Sequence, residues 1–226
     1  GVHAQIRNER GYSEGATTIV TGLYSHGSLL RGWVGDSKAA ILNRSDQTVE
    51  NPTRDHSIVQ HYVEEGSIRP EIAPVHEESS TIVRAVGGSD ATVETRTVPI
   101  YGDDIVLIAS DGLYDAYDRG KELYRKYIRA EDTSEEESVI DEILAKTVTD
   151  DDIADVVFEA TTLETAAEGL ISLAQKRGGS DNVSALLFTD TTQPHRNEID
   201  DSSSRDHPAY RDEPTYDLET DETILK

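Results

Sequence analysis

Apolar positions in this chain come in short runs separated by polar, glycine-containing stretches, and the spacing changes character along the sequence. Residues 16–24 (ATTIVTGLY) are β-branched and bounded by Gly15 and by the turn Ser25-His26-Gly27-Ser28, which predicts a strand. Residues 29–35 and 39–42 read as the next two strands, the first joined by a four-residue hairpin turn. Residues 56–65 place Ile58, Val59, Tyr62 and Val63 on one helical face, and Gly66 ends it. Strands return at 91–98 and 104–109.

Residues 116–160 read as helical and acidic, with 138–146 the clearest segment. Residues 163–176 (LETAAEGLISLAQK) form the last expected helix, with Thr162 as N-cap and Gly178 as stop, before a strand at 183–188. From Thr191 to Lys226 the chain has Pro, Ser and acids but almost no apolar period. That predicts a domain over 1–190 followed by an acidic disordered tail or linker over 191–226. Strands joined by short turns, followed by grouped helices, imply an α+β class with mainly antiparallel sheets.

Composition narrows the chemistry. Of 226 residues none is Cys, so disulfides, thiolate metal sites and thiol nucleophiles are excluded. A metal here has oxygen or imidazole donors, which suits Mg²⁺, Mn²⁺ or Ca²⁺. Net charge is −24, with 15 Arg but only 6 Lys among the bases. Such a surface repels nucleic acid and anionic membranes, and no apolar run approaches a membrane span. An acidic, Lys-poor composition resembles that of the cytosolic proteins of salt-loving archaea, where self-repulsion is screened, and an ordinary acidic protein with an acidic tail is the alternative. A monomer is expected. Met is absent even at position 1, and the chain is expected to be cut from something longer.

Four acids share one setting. Asp36 follows a strand in GDS, Asp111 follows one in SDG, Asp115 lies just beyond, and Asp181 precedes the last strand in GGSDN. Each sits at or near a strand end beside Gly or Ser, where backbone can approach closely. An Asp beside Gly is most often only a turn residue. Brought together, however, four acids without Lys repel one another unless a divalent cation is present. The histidines read mostly as solvated: His56 and His61 are wrongly spaced to share a helix face, and His26 sits in a turn. Ser37 and Ser57 lack a recognisable His/Asp relay.

The ordered series GATTIV, WVGDSKAAIL, TRDHS, IVRAVGG, GDDIVLIASDGLYD and RGGSDNVSALLF resembles the PP2C-type metal-dependent serine/threonine phosphatases (the PPM family) over about residues 4–188. The resemblance implies a PP2C-like antiparallel β-sandwich flanked by helices, a four-layer α/β/β/α arrangement with its first strands missing. It implies Asp111 and Asp181 as ligands of two core Mg²⁺ or Mn²⁺ ions, and Asp36 and Asp115 as acids of a third, weaker one. Thr17 and Thr18 match a structural GTT-like motif, and Arg84 matches a structural Arg. The implied activity is hydrolysis of phosphoserine or phosphothreonine in a protein substrate. The family's Asp/Glu-with-Arg and DGxGG motifs have no counterpart, so the catalytic residues they supply are unknown here. This chain alone is therefore expected to be inactive, and a non-catalytic pseudophosphatase or regulatory binding module is the alternative.

Overall fold

In the strand Ser28–Val34 every second side chain, from Leu29 through Arg31 to Trp33, is buried, the period of a sheet with one covered face. The computed structural model describes residues 15–50, 52–114, 120–179 and 181–198, with two further strands at 215–217 and 222–224. The elements in chain order are β1 (Ile19–Ser25), β2 (Ser28–Val34), β3 (Lys38–Asn43), β4 (Thr48–Glu50), α1 (Ile58–Glu64), β5 (Thr92–Pro99), β6 (Asp104–Ala109), α2 (Gly120–Tyr127), α3 (Thr133–Leu144), α4 (Asp150–Glu159), α5 (Leu163–Lys176), β7 (Ala185–Phe188), β8 (Thr215–Asp217) and β9 (Glu222–Ile224). Two sheets form, ordered β1-β2-β5-β8-β9 and β4-β3-β6-β7, and every pairing between β1 and β2, β2 and β5, and β3 and β4 is antiparallel. The α+β class expected from the strand and helix pattern is the one observed.

The chain divides into two compact units, one of residues 1–56, 82–106 and 188–226, the other of 57–81 and 107–187. The first is built on strands. Its β1–β2 hairpin pairs Ser25 with Ser28, so the loop is two residues long and not four. His26 and Gly27 both have positive φ (48° and 77°), the backbone that a two-residue hairpin matching the strand twist requires. The second unit is helical. Ile72 and Val75 from a 3₁₀ segment pack with Leu123 of α2 and Ile140 and Ile143 of α3 into one buried cluster. Gly169 of α5 lets that helix approach α4, because a Cβ there would sit 2.8 Å from Val156.

Helix starts follow side-chain caps. Thr162 and Thr165 form a reciprocal capping box at the start of α5, and Thr149 and Asp152 form another at α4. Gly178, with φ +94°, ends α5 as expected. The helix expected over 138–146 begins earlier, at Thr133 under an Asp132 cap. Its first turn is acidic and carries no apolar period, but acids there complement the helix dipole. Among the described residues no helix is long and apolar enough to cross a membrane.

The tail differs most from expectation. Residues 191–198 are not loose: Gly102 N–H donates to Pro194 O (3.0 Å), and Arg196 pairs with Asp46 (2.9 Å), Glu50 (2.8 Å) and Asp104 (3.5 Å). Tyr24 donates to the Asp190 carboxylate at the start of this segment. β8 pairs with β5 and β9 with β8, extending the first sheet. Polar contacts hold residues 191–198, which is why a reading based on apolar period passes over them. Residues 199–214, 218–221 and 225–226 of the expected tail lie outside the described residues.

Candidate metal centre

Strand β6 is buried along most of its length, with Val106 and Leu107 fully enclosed, and it leads directly into Ser110 and Asp111. Asp111 opens a 3₁₀ turn, Asp111–Leu113. The loop before β7 carries Asp181. Ser110 clasps the two loops: its N–H donates to Ser184 O (3.0 Å), its Oγ accepts from Ser184 N–H (3.0 Å), and its Oγ–H donates to Asn182 O (3.2 Å). Gly112 completes the contact, since a Cβ there would sit 2.5 Å from Asn182 O and 3.5 Å from Asp181 Cβ. Gly179 turns tightly enough for its N–H to donate to Ala174 O at 2.9 Å.

Asp111 is half-buried and Asp181 exposed. Each is oriented by the next amide: Gly112 N–H donates to Asp111 Oδ1 (3.0 Å), and Asn182 N–H donates to Asp181 Oδ1 (2.6 Å). The second oxygen of each makes no hydrogen bond or ion pair among the described residues. Two oriented carboxylates with spare oxygens and, among the described residues, no cationic partner fit a hard divalent ion. Mg²⁺ in particular keeps several waters and is commonly held by one or two carboxylates. Among the described residues no three His, Asp or Glu side chains converge into a fuller ligand set.

Asp36 belongs to the other unit. It lies half-buried in the Gly35–Ser37 link between β2 and β3 and is engaged in a polar contact. Gly35 has φ +107°, and a Cβ there would lie 2.3 Å from Thr18 Cγ2. Thr18 Oγ1 is 3.0 Å from Ser37 Oγ and so supports the GDS loop, while Thr17 forms a bridge with Val86. Asp115 falls outside the described residues.

Sequence reasoning missed a buried polar network. His56, read with the solvated histidines, is 1% exposed. Its Nδ1 accepts from Gly35 N–H (3.0 Å), its Nε2 is 3.2 Å from Glu94 Oε1, and its ring stacks on Trp33. Arg84 pairs with Glu94 (2.9 Å) and Asp90 (3.3 Å), which makes it structural. Burial pushes the Glu94 carboxyl up, but the His56 Nε2–H facing it and the charges of Arg84 and Arg54 outweigh it and hold it at about 2. No local sequence signal marks this burial, because it depends on Trp33 and Glu94, from strands distant in sequence.

No family model matches the chain. It is 26% identical over 172 residues to a serine/threonine phosphatase stp of Listeria welshimeri, covering 76% of this chain and 55% of that protein. It is 27% identical over 186 residues to the serine/threonine protein phosphatase PstP of Mycobacterium tuberculosis, covering 82% of this chain and 30% of that one. The chain thus spans about half, or less, of the length of these relatives. The crystal structure of the M. tuberculosis phosphatase PstP/Ppp aligns with a TM-score of 0.61 at 26% identity, over 82% of this chain and 65% of that one. The serine/threonine phosphatase Stp1 of Staphylococcus aureus shares the fold, with a TM-score of 0.63 at 24% identity over 84% of this chain and 62% of that one. The chain is thus similar in sequence and in fold to serine/threonine phosphatases.

Proposed function

We propose that this chain is the metal-holding part of a protein phosphatase that hydrolyses phosphoserine and phosphothreonine in protein substrates. The observation that carries the reading is the Ser110 clasp, which presents Asp111 and Asp181 on two adjoining loops, each with one oxygen that makes no contact among the described residues. In this role the two carboxylates would hold Mg²⁺ or Mn²⁺, and Asp36 and Asp115 would serve a further, weaker ion. When bound, a pair of such ions neutralises phosphate oxygens and makes an attacking water acidic enough to work near neutral pH.

The chain's own contribution is orientation. The Gly112 and Asn182 amides orient one oxygen of each carboxylate, and the clasp holds the two loops together. Attack by a metal-activated water needs no thiol nucleophile, so the absence of Cys from this sequence is no obstacle. The acidic, Lys-poor composition supports a high-salt cytosol, where the self-repulsion of a −24 chain is screened, and the protein is taken to act there as a monomer.

Calorimetric titration with MnCl₂ tests the site, and phosphate release from a phosphothreonine peptide by the gene product carrying this sequence tests the reaction. Asp111→Asn and Asp181→Asn are each expected to weaken Mn²⁺ binding and to cut turnover by at least ~100-fold, about 2.7 kcal/mol of barrier. Near-normal Mn²⁺-dependent turnover in Asp111→Asn would refute the assignment.

A further inference from the structure

Gly35, the residue before Asp36, has both of its backbone polar groups taken by one residue. His56 N–H donates to Gly35 O (3.1 Å), and His56 Nδ1 accepts from Gly35 N–H (3.0 Å). The ring doing this is buried, stacked on Trp33 of β2 and backed by Glu94 of β5 at 3.2 Å from Nε2. Because Nδ1 accepts, the ring proton must sit on Nε2, and the Glu94 carboxylate facing Nε2 selects that tautomer. Glu94 is itself fixed by Arg84 at 2.9 Å and Arg54 at 3.5 Å. On its other side Gly35 rests against Thr18, in a positive-φ backbone that most residues avoid. The exit of the chain from β2 into Asp36 is therefore held from two sides, and the hydrogen-bonded side is His56 alone.

We propose that His56 is a positioning residue for Asp36, with the Glu94-selected tautomer clamping Gly35 so that the Asp36 carboxylate leaves β2 in a fixed direction. This rests on the reading of Asp36 as a metal ligand. It places a line of contacts, Arg84 to Glu94 to His56 to Gly35, behind Asp36. Such outer contacts commonly change metal affinity by ~10–100-fold when removed, although none touches the ion.

A double-mutant cycle on Mn²⁺ affinity, measured on the full chain with folding checked by circular dichroism, decides it. Asp36→Asn identifies the binding phase that depends on Asp36. His56→Leu, which removes the acceptor, is expected to weaken that same phase by about tenfold or more, and to change it no further in the Asp36→Asn background. His56→Asn keeps an acceptor oxygen near the place of Nδ1 and is expected to retain most of the affinity. Should His56→Leu fail to fold, Glu94→Gln, which frees the tautomer, carries the test against His56→Asn and is expected to weaken only that phase. Wild-type affinity for that phase in His56→Leu, or in Glu94→Gln, overturns the proposal, as does a His56→Leu loss that adds fully to that of Asp36→Asn. If Asp36→Asn removes no phase at all, the ligand reading itself fails and this inference falls with it, a result distinct from a failure of His56 alone.

Discussion

A Cβ on Gly112 would lie 2.5 Å from the carbonyl oxygen of Asn182, and the clash would be with backbone, which no rotamer change relieves. The same Gly112 gives its N–H to Asp111 Oδ1. One residue thus sets both how closely the two acid-bearing loops approach and how the first acid is turned. Glycine is required here by the neighbouring chain, not by its own φ.

Gly112→Ala should therefore separate the loops. Overpacking at a backbone contact costs ~1–3 kcal/mol, seen as a lower urea midpoint. Mn²⁺ affinity should drop by about tenfold, because the positions of Asp111 and Asp181 change together. Ser110→Ala removes the clasp without adding bulk and should lower affinity in the same direction. A Gly112→Ala protein with unchanged Mn²⁺ affinity would show that loop approach does not matter to the site.

The strand-to-acid steps were readable because they follow from simple patterns. Asp111 and Asp181 stand out where apolar runs end in Ser, Gly and Asp, and the structure brings these two loops together. Thr162 and Gly178 marked both ends of α5 correctly, since caps are local chemistry. His56 was not legible, because its burial depends on Trp33 and Glu94, from strands distant in sequence. Arg196 was hidden for a related reason: its partners Asp46, Glu50 and Asp104 lie far upstream, and no periodicity announces an ion-pair anchor.

The pH response of Glu94 has a defined sign. The carboxyl titrates at about 2 in the folded protein against a usual value of 4.5, so between these values the unfolded chain binds more protons than the folded one. The stabilisation is complete above about 4.5 and fades as pH falls toward 2. Glu94→Gln should be less stable than wild type at pH 7, and the gap should narrow steadily below about pH 4.5. Urea midpoints of both proteins across pH 3–7 read it directly. A gap that stays constant over that range would mean that Glu94 is not held ionised by His56 and the arginines.

Arg196 anchors residues 191–198 through charge rather than apolar burial. Asp104 is fully buried, and besides Arg196 its carboxylate accepts from Asn43 Nδ2 (2.7 Å) and Tyr101 N–H (2.9 Å). Removing the guanidinium in Arg196→Ala leaves that charge less compensated, at a cost of ~1–3 kcal/mol. It should also expose the chain after Phe188 to limited proteolysis. Arg196→Lys keeps the charge without the fork that reaches Asp46, Glu50 and Asp104 together, and should fall between the two. Proteolysis at wild-type rates in Arg196→Ala would place the anchor elsewhere, with Tyr24–Asp190 the next contact to remove.

Salt dependence separates surface repulsion from the tail's own charge. Residues 191–226 carry 10 acids and 4 bases, a net of −6, so −18 of the total −24 resides in the preceding 190 residues. Folding concentrates those charges on a compact surface and makes the folded state the more strained by repulsion. At 0.1 M salt the Debye length is ~10 Å, which leaves neighbouring surface acids unscreened from one another; at 1 M it is ~3 Å, and little repulsion remains. Raising KCl from 0.1 to 2 M should therefore lift Tm by at least ~5 °C, roughly 1–2 kcal/mol for a chain of this size. Because screening is nearly complete by 1 M, most of the rise should come below that concentration. A salting-out effect on apolar burial would keep climbing. A chain lacking residues 199–226 should keep most of the response, since most of the charge remains. A flat melting curve from 0.1 to 2 M KCl would reject adaptation to high salt while leaving the assignment of Asp111 and Asp181 untouched.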